Sequence, residues 1–532
     1  MPWRDTGDHW AARALRGCRS LHTPTVQRRP GMLRAVAATL VVLASVAAAT
    51  SCAGAARPDQ QYHALLAVRT RLPEPKTSVL AGAADVVTGS LAHELFASAP
   101  VVVVASPDRS AEVAAARSAL RARAPLVLVS ARTGGPVVSA MLRAQIKALD
   151  PHAVLTVGVP GKVLVAALPG IRVVTNPAML PATKPLPPLG RLALLVHPDD
   201  RDIATLAAIT TARVAGARVI AVRGDDPRAD PTAIAALSAA RPRRLLAIGA
   251  GFGPAGLLAS RVAVAQTGVQ LPGGGQILFP GHLLVALYGH PDAPALGALG
   301  QQDLSASIAR ARKVAAPYRA LSRVPVIPAL EIIATVAEAH PGADGNYSYQ
   351  STVDSLRPWV RRATAAGMYV ILDLQPGRAS LLAQARRYQS LLELPDVGLA
   401  LDPEWKLAPG QVPLHQIGSV SIGEVNSVIR WLAGLTARYR LPQKLLVLHQ
   451  FRLSMIVGEH ELDTRHQDLA ILIHMDGQGT PADKQQTWQA VTSAAPAGVS
   501  FGWKNFYAKD HPMMSPQQTM ATTPQLSMVS YQ

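Results

Sequence analysis

Eight short apolar segments recur between residues 283 and 532: LLVALYGHP, VPVIPALEII, MYVILDLQPG, VGLALDPEW, KLLVLHQF, LAILIHMDG, GVSFGWKNFY and LSMVSYQ. Most are separated by stretches of helical periodicity, such as SVIRWLAGLTARYR at 427–440. Runs that are apolar at successive positions suit strands buried on both faces, and strands alternating with helices must run parallel. Eight strand and helix units in roughly 250 residues match a TIM (β/α)8-like barrel. An open doubly wound sheet is the alternative built from the same units.

The ends of these segments carry the functional signal. VGLALDPEW closes a core-like run with Asp402, Pro403, Glu404 and Trp405. Carboxylates rarely enter a core unpaired, so they must face water at a strand mouth or serve a site. The other ends are polar as well: Tyr288 and His290, Glu331, Asp373 and Gln375, His449 and Gln450, His474 and Asp476, Lys504 and Asn505. Barrel chemistry sits at the C-terminal strand ends, so this accumulation predicts a ligand site. The expected catalytic groups are Glu404, Asp402 and Asp373. The expected binding groups are Tyr288, His290, Glu331, Gln375, Trp405, His449, Asp476, Trp503 and Lys504.

Two carboxyl groups are what glycoside hydrolysis needs, one of them protonated to assist the leaving group. The Asp-x-Glu of LDPEW looks like the tail of the chitinase-type DxxDxDxE motif, although Val397 and Ala400 stand where that motif has Asp. Retaining barrel enzymes commonly place a carboxylate on strand seven, where GWKNF offers Lys504. Glu404 would therefore pair with Asp373, Glu331 or Asp476. His449, His474 and Asp476 are conceivable metal ligands, but no HExxH-like spacing supports a metal, and no cofactor is implied.

The region before the barrel is a second α/β assembly. VVVVAS at 101–106, PLVLVS at 125–130 and AVLTVG at 153–158 read as buried parallel strands, and the pattern repeats. Pro107 and Asp108 match Pro198 and Asp199, Pro151 matches Pro242, and Gly158 matches Gly249, each at an offset of 91 residues. Such an offset predicts two copies of one flavodoxin/Rossmann-like unit. GAGFGPAG at 249–256 has glycines opening a helix N-terminus but lacks the Lys-Ser/Thr of a phosphate loop, so a tight strand-to-helix turn is expected. A Gly/Pro-rich joint, QLPGGGQILFPGH at 270–282, separates this assembly from the barrel. The domains expected are an export segment at 1–52, a linker at 53–75, the duplicated α/β domain at 76–268 and the barrel at 269–532.

These units resemble the cell wall-binding repeat 2 family, on the strength of a first strand, the RAPLVLVS second strand and a third strand ending in Val-Gly, over roughly residues 90 to 260. The resemblance implies noncovalent attachment to anionic wall polymer. The C-terminal half, with YGHP, LDLQPG, LDPEW, LHQF, DG and GWKNF, resembles a family of uncharacterised secreted actinobacterial lipoproteins. That likeness implies fold and address without a reaction.

Charge and cysteines fit the same address. RRPGMLRAVAATLVVLASVAAATSCAG joins a basic stretch, an apolar run from Leu40 to Ala48 and small residues ahead of Cys52, which together make an export signal resembling a lipoprotein signal. Cys52 is the expected lipidated residue, anchoring the chain to the outer face of the membrane. Ordinary signal cleavage or an uncleaved anchor are the alternatives. Counting from Met32 gives a signal of ordinary length, so Met32 is an alternative start, and Cys18 then has no disulfide role.

The net charge is +18; residues 1–51 hold seven Arg and two Asp and contribute +5, leaving +13 beyond them. That suits an anionic wall surface as well as a plain solvated one. No Lys/Arg block interleaved with aromatics points to nucleic acid. Trp359, Trp405, Trp431, Trp488 and Trp503 all lie in the C-terminal half, where rings stack on sugars or fill a core. Two functions follow as expectations: a wall-anchored glycan hydrolase, or a noncatalytic cell-wall-binding scaffold or receptor.

Overall fold

A computed structural model describes residues 65–532, apart from 72–73, 133–134, 188 and 199–202. Cys52, the export segment and Asp199 lie outside the described residues. Among those described, no helix is long and apolar enough to cross a membrane. Within the stretch expected as linker, Arg69–Thr70 pairs antiparallel with Phe96–Ser98, and Leu66 exchanges backbone hydrogen bonds with Ala182 and Lys184.

The first α/β unit forms because its strands are β-branched and apolar on both faces. Strand β2 (Val101–Ala105) is buried at all five positions and lies between β3 (Leu126–Leu128) and β4 (Ala153–Val157), with β5 (Arg172–Val174) outside β4. Helix α2 (Arg109–Ala122) starts where Asp108 accepts a hydrogen bond from the Ala111 N–H at 2.8 Å, an ordinary N-cap.

The second unit repeats this order with β6 (Leu192–Val196), β7 (Arg218–Ala221) and β8 (Arg244–Ile248). Strands β2 and β6, and likewise β4 and β8, stand at the 91-residue offset. Gly158 and Gly249 directly follow the matching strands, at φ 71° and 114°. A side chain at Gly158 would also place its Cβ 2.8 Å from the Ala111 Cβ.

The copies differ at the fourth strand. In the second sheet that place is filled by β1 (Lys76–Leu80), whose chain position precedes the whole first unit, in parallel register Arg244 to Lys76 through Ile248 to Leu80. Residues 91 beyond β5 fall instead in helix α3 (Ala255–Ala265). From β1 the chain crosses through helix α1 (Ala84–Leu95), whose Val87, Leu91 and Leu95 join one core with Val102, Val104 and Val154 of the first sheet and Leu194 and Leu246 of the second.

The C-terminal half is a closed barrel of eight parallel strands: β9 (Leu283–Gly289), β10 (Val326–Ala337), β11 (Tyr369–Leu374), β12 (Val397–Leu401), β13 (Lys444–Gln450), β14 (Leu469–Met475), β15 (Ser500–Asn505) and β16 (Leu526–Tyr531). Each pairs with the next in chain order, and β16 returns to β9. All eight match the segments expected from the sequence. A short strand, Ser348–Gln350, adds antiparallel to β10. Helix α4 (Ile422–Tyr439) covers the predicted helical stretch, whereas β13 reaches β14 through single 3-10 turns and no α-helix.

Period-two alternation fills the barrel. Leu284, Ala286, Ile327, Ala329, Tyr369, Ile371, Leu445, Val447 and Leu472 point inward and meet Leu271, Leu278 and Phe279 of the Gly/Pro-rich joint, which closes the N-terminal mouth. The joint is tied there by Gln276, whose N–H donates to Arg228 and whose carbonyl accepts from Gln443. Arg228 itself reaches Asp226 at 2.9 Å and Gln467 at 3.2 Å, so the second α/β unit grips the chain just before β14.

Candidate active site at the C-terminal mouth of the barrel

The alternation that buries apolar residues lower down turns polar at the last inward position of each strand. Tyr288 follows Leu284 and Ala286, Glu331 follows Ala329, Asp373 follows Ile371, His449 follows Val447, and His474 follows Leu472. Register brings Tyr288 beside Glu331, and His449 beside His474. One ring of side chains from different strands thus caps the apolar core.

His449 is the hub. Its Nε2 lies 3.0 Å from Glu331 Oε1 and 3.9 Å from Asp373 Oδ1; its Nδ1 lies 3.2 Å from Asp476 Oδ2, an ion pair off the hydrogen-bond line. Lys504 Nζ stands 3.2 Å from both Asp476 oxygens and 3.5 Å from the Tyr288 ring centroid, a cation over an aromatic face. The Tyr288 hydroxyl donates to Asp373 Oδ2 at 2.8 Å. His474 Nε2 meets Ser530 Oγ at 2.7 Å, and its ring stands edge-on to His449.

LDPEW is a capped turn as much as a strand end. The Asp402 carboxyl accepts from the Glu404 N–H at 3.3 Å, and Pro403 starts a 3-10 turn that carries Glu404 and Trp405 out of the strand pleat. Asp402 is buried, while Glu404 and Trp405 are half-buried at the mouth. The two carboxyls that open the mouth are therefore unequal in exposure.

Electrostatics separates the acids. Burial, with Asp476 beside it, pushes Glu404 up to about 7, against the pull of Lys504, His449 and Arg452. Burial pushes Asp373 up to about 6, and burial with the Asp373 charge holds Asp402 well above the carboxylate range. Asp476 is the opposite case: burial would raise it, but Lys504 and His449 outweigh that and hold it below the ordinary range. Burial would likewise strip the proton from His449, yet the Glu331 charge and bond, with the Asp476 carboxylate 3.2 Å from Nδ1, hold it well above the usual value. His474, buried beside that cation, is driven well below it. Glu404 thus keeps its proton to a higher pH than Asp476, whose charge helps to hold it there.

Of the residues expected from sequence, Tyr288, Glu331, Asp373, Asp402, Glu404, His449, Asp476 and Lys504 form this cluster. Gln375 borders it, its amide 3.5 Å from the Tyr288 hydroxyl and its Oε1 accepting from the Ala337 N–H. Two expected binding residues do not join. Trp503 points to the outer layer, packed on Trp488 and buried among Leu283, Val285 and Tyr531, because it sits one residue out of phase with inward Lys504. His290 turns away after Gly289 and faces Ser351 at 3.2 Å. Gln450 and Asn505 likewise bond outer-layer partners, Glu459 and Trp503.

Other contributors were not anticipated. Ser530 holds His474, and the LSMVSYQ alternation carries that signal, since Met528 and Ser530 share a face. Gly502 leaves the space that His474 occupies: a Cβ there would lie 2.2 Å from His474 Nδ1. Lys484 of helix α5 (Pro481–Ala494) donates to the Lys504 carbonyl at 2.6 Å and to Asp510 at 2.5 Å, bracing the strand that delivers Lys504. Among the described residues no three His, Cys, Asp or Glu side chains form a metal-holding group. Compared with models of known protein families and with curated proteins, the chain has no match.

Proposed function

We propose that the barrel is a carboxylate-dependent glycoside hydrolase acting on a cell-wall glycan. Glu404 is the general acid and Asp476 is the ionised carboxylate facing the reacting carbon. What supports this reading is the geometry of the mouth: Asp476 is ion-paired with Lys504 and His449, and half-buried Glu404, raised by burial and by the Asp476 charge, has no such partner among the described residues. Trp405, half-buried beside Glu404, supplies an apolar face for a sugar ring. Glu404→Gln keeps the shape and removes the proton. It should cut release of reducing ends from cell-wall glycans by roughly 10²-fold or more while leaving thermal stability in place; equal activity in both proteins would end the reading.

A noncatalytic wall receptor is the second reading, and the internal pairing of Glu331, His449, Asp476 and Lys504 favours it, since a paired layer also stabilises a barrel without chemistry. Under it, Glu404→Gln alters only ligand affinity.

The address belongs to the same proposal: lipid on Cys52, the outer face of the membrane, and attachment through the two α/β units. A groove of about 620 Å³ opens where β1 and β8 begin; there Arg244 is paired with Glu94, and Arg71 and Lys76 beside Glu74 are the cations left for an anionic polymer. Residues 65–268 should bind purified wall and release it as salt rises. Cys52→Ala should free the protein into the medium.

A further inference from the structure

The charge balance at the barrel mouth is uneven. Five carboxyl groups, Glu331, Asp373, Asp402, Glu404 and Asp476, converge on two cationic groups, His449 and Lys504. Lys504 is already committed to Asp476 and to the Tyr288 ring. Arg452, near Glu404, is exposed, and water screens its charge. Glu331 Oε2 and Asp373 Oδ1 receive no hydrogen bond, although neither residue has any solvent exposure. Buried acceptors without donors are costly. The layer is short of donors and of positive charge.

Protons fill part of that shortfall. Burial and neighbouring carboxyl charges keep Asp373, Asp402 and Glu404 protonated into a range where exposed carboxyls have ionised. A ligand that brings its own positive charge and three donors would meet the same need.

We propose that the sugar held at this mouth carries a free ammonium group: a hexosamine unit of a de-N-acetylated glycan, with its amine seated beside Asp476 and in front of Asp402 and Asp373. The inference rests on the glycan-binding reading above and names its substrate class. An N-acetyl group has no charge, and its carbonyl adds an acceptor to a layer already rich in them. Seating the ammonium lowers the proton affinity of Asp402 and Asp373, so binding releases protons from those two carboxyls while Glu404 keeps the one it donates.

The test uses glucosamine and N-acetylglucosamine, monosaccharides with no glycosidic bond to cleave, titrated calorimetrically into the full chain at pH 6.5 in two buffers of different protonation enthalpy. Glucosamine should bind at least tenfold more tightly, with a buffer-dependent heat that reports proton release, and Asp402→Asn should reduce both. Equal affinities, preference for the N-acetyl sugar, or no proton release with wild-type protein would overturn the inference. Ammonium chloride binding as tightly as glucosamine would also overturn it. Cleavage of N-acetylated glycans without glucosamine binding would leave the hydrolase reading standing and remove this one.

Discussion

Glu331 and His449 meet across the inside of the barrel, Oε1 to Nε2 at 3.0 Å, and neither side chain is exposed. Because the other ring nitrogen faces Asp476, the imidazole is a buried cation wedged between carboxylates from β10 and from the end of β14. Lys504 and this cation together keep Asp476 ionised, so the contrast between Asp476 and Glu404 depends on two groups sealed inside the barrel.

Removing one partner of such a pair leaves the other uncompensated. Glu331→Gln should cost about 3–5 kcal/mol in urea denaturation. The folded His449 holds its proton above the unfolded value, so its contribution is complete below about pH 6.5 and fades as pH rises through the folded value. The gap between wild type and variant should therefore be full at pH 6 and narrow in alkaline solution. A gap independent of pH would show that His449 carries no charge.

Asp373 gives the complementary case. Its folded pKa is pushed up to about 6, so folding favours its proton; that stability is present below about pH 4 and is lost as pH rises through 6. Asn holds the Tyr288 bond and never ionises. From pH 4 to 7, Asp373→Asn should gain on the order of 2 kcal/mol relative to wild type, read from denaturation curves at the two pH values.

Gly502→Ala places a methyl group where the His474 ring sits. The ring must move off Ser530, and overpacking should cost about 1–3 kcal/mol. Thermal melts and a shifted His474 imidazole resonance would register it; an unchanged resonance would contradict the packing described.

Lys484→Met strands the Asp510 carboxyl, which also receives the Phe506 and Gly479 N–H groups. A loss of about 3–5 kcal/mol is expected, and adding Asp510→Asn should restore part of it, because a buried pair removed whole costs less than a pair broken. Additive losses would mean the two act independently.

Much of this was legible in the sequence for physical reasons. Parallel strands buried on both faces leave continuous apolar runs, and all eight were visible as such. The polar ends were visible too, since carboxylates and histidines do not belong in apolar runs. Which way each end points was harder. Trp503 and Lys504 are adjacent and must face opposite ways, so a list of polar and aromatic ends mixes the inner ring with the outer layer. His290 was lost because Gly289 takes φ 148° and redirects the chain. Strand β1 could not be assigned to the second sheet, because its pairing with Arg244 to Ile248 is set by a contact far along the chain and KTSVL is too mixed in polarity to announce it.

That strand has a mechanical consequence. The chain passing residue 76 enters the second sheet before any of the first unit is built, and β1 forms the edge of that sheet beside β8. Tension applied from the N-terminal side therefore meets the Leu66 bonds to Ala182 and Lys184 and the Arg69–Thr70 ladder first, and behind them the hydrogen bonds between β1 and β8 bear it together along parallel strands. The strands of the earlier repeat follow helix α1 in the chain, so they take up the load along the backbone only after that edge gives way.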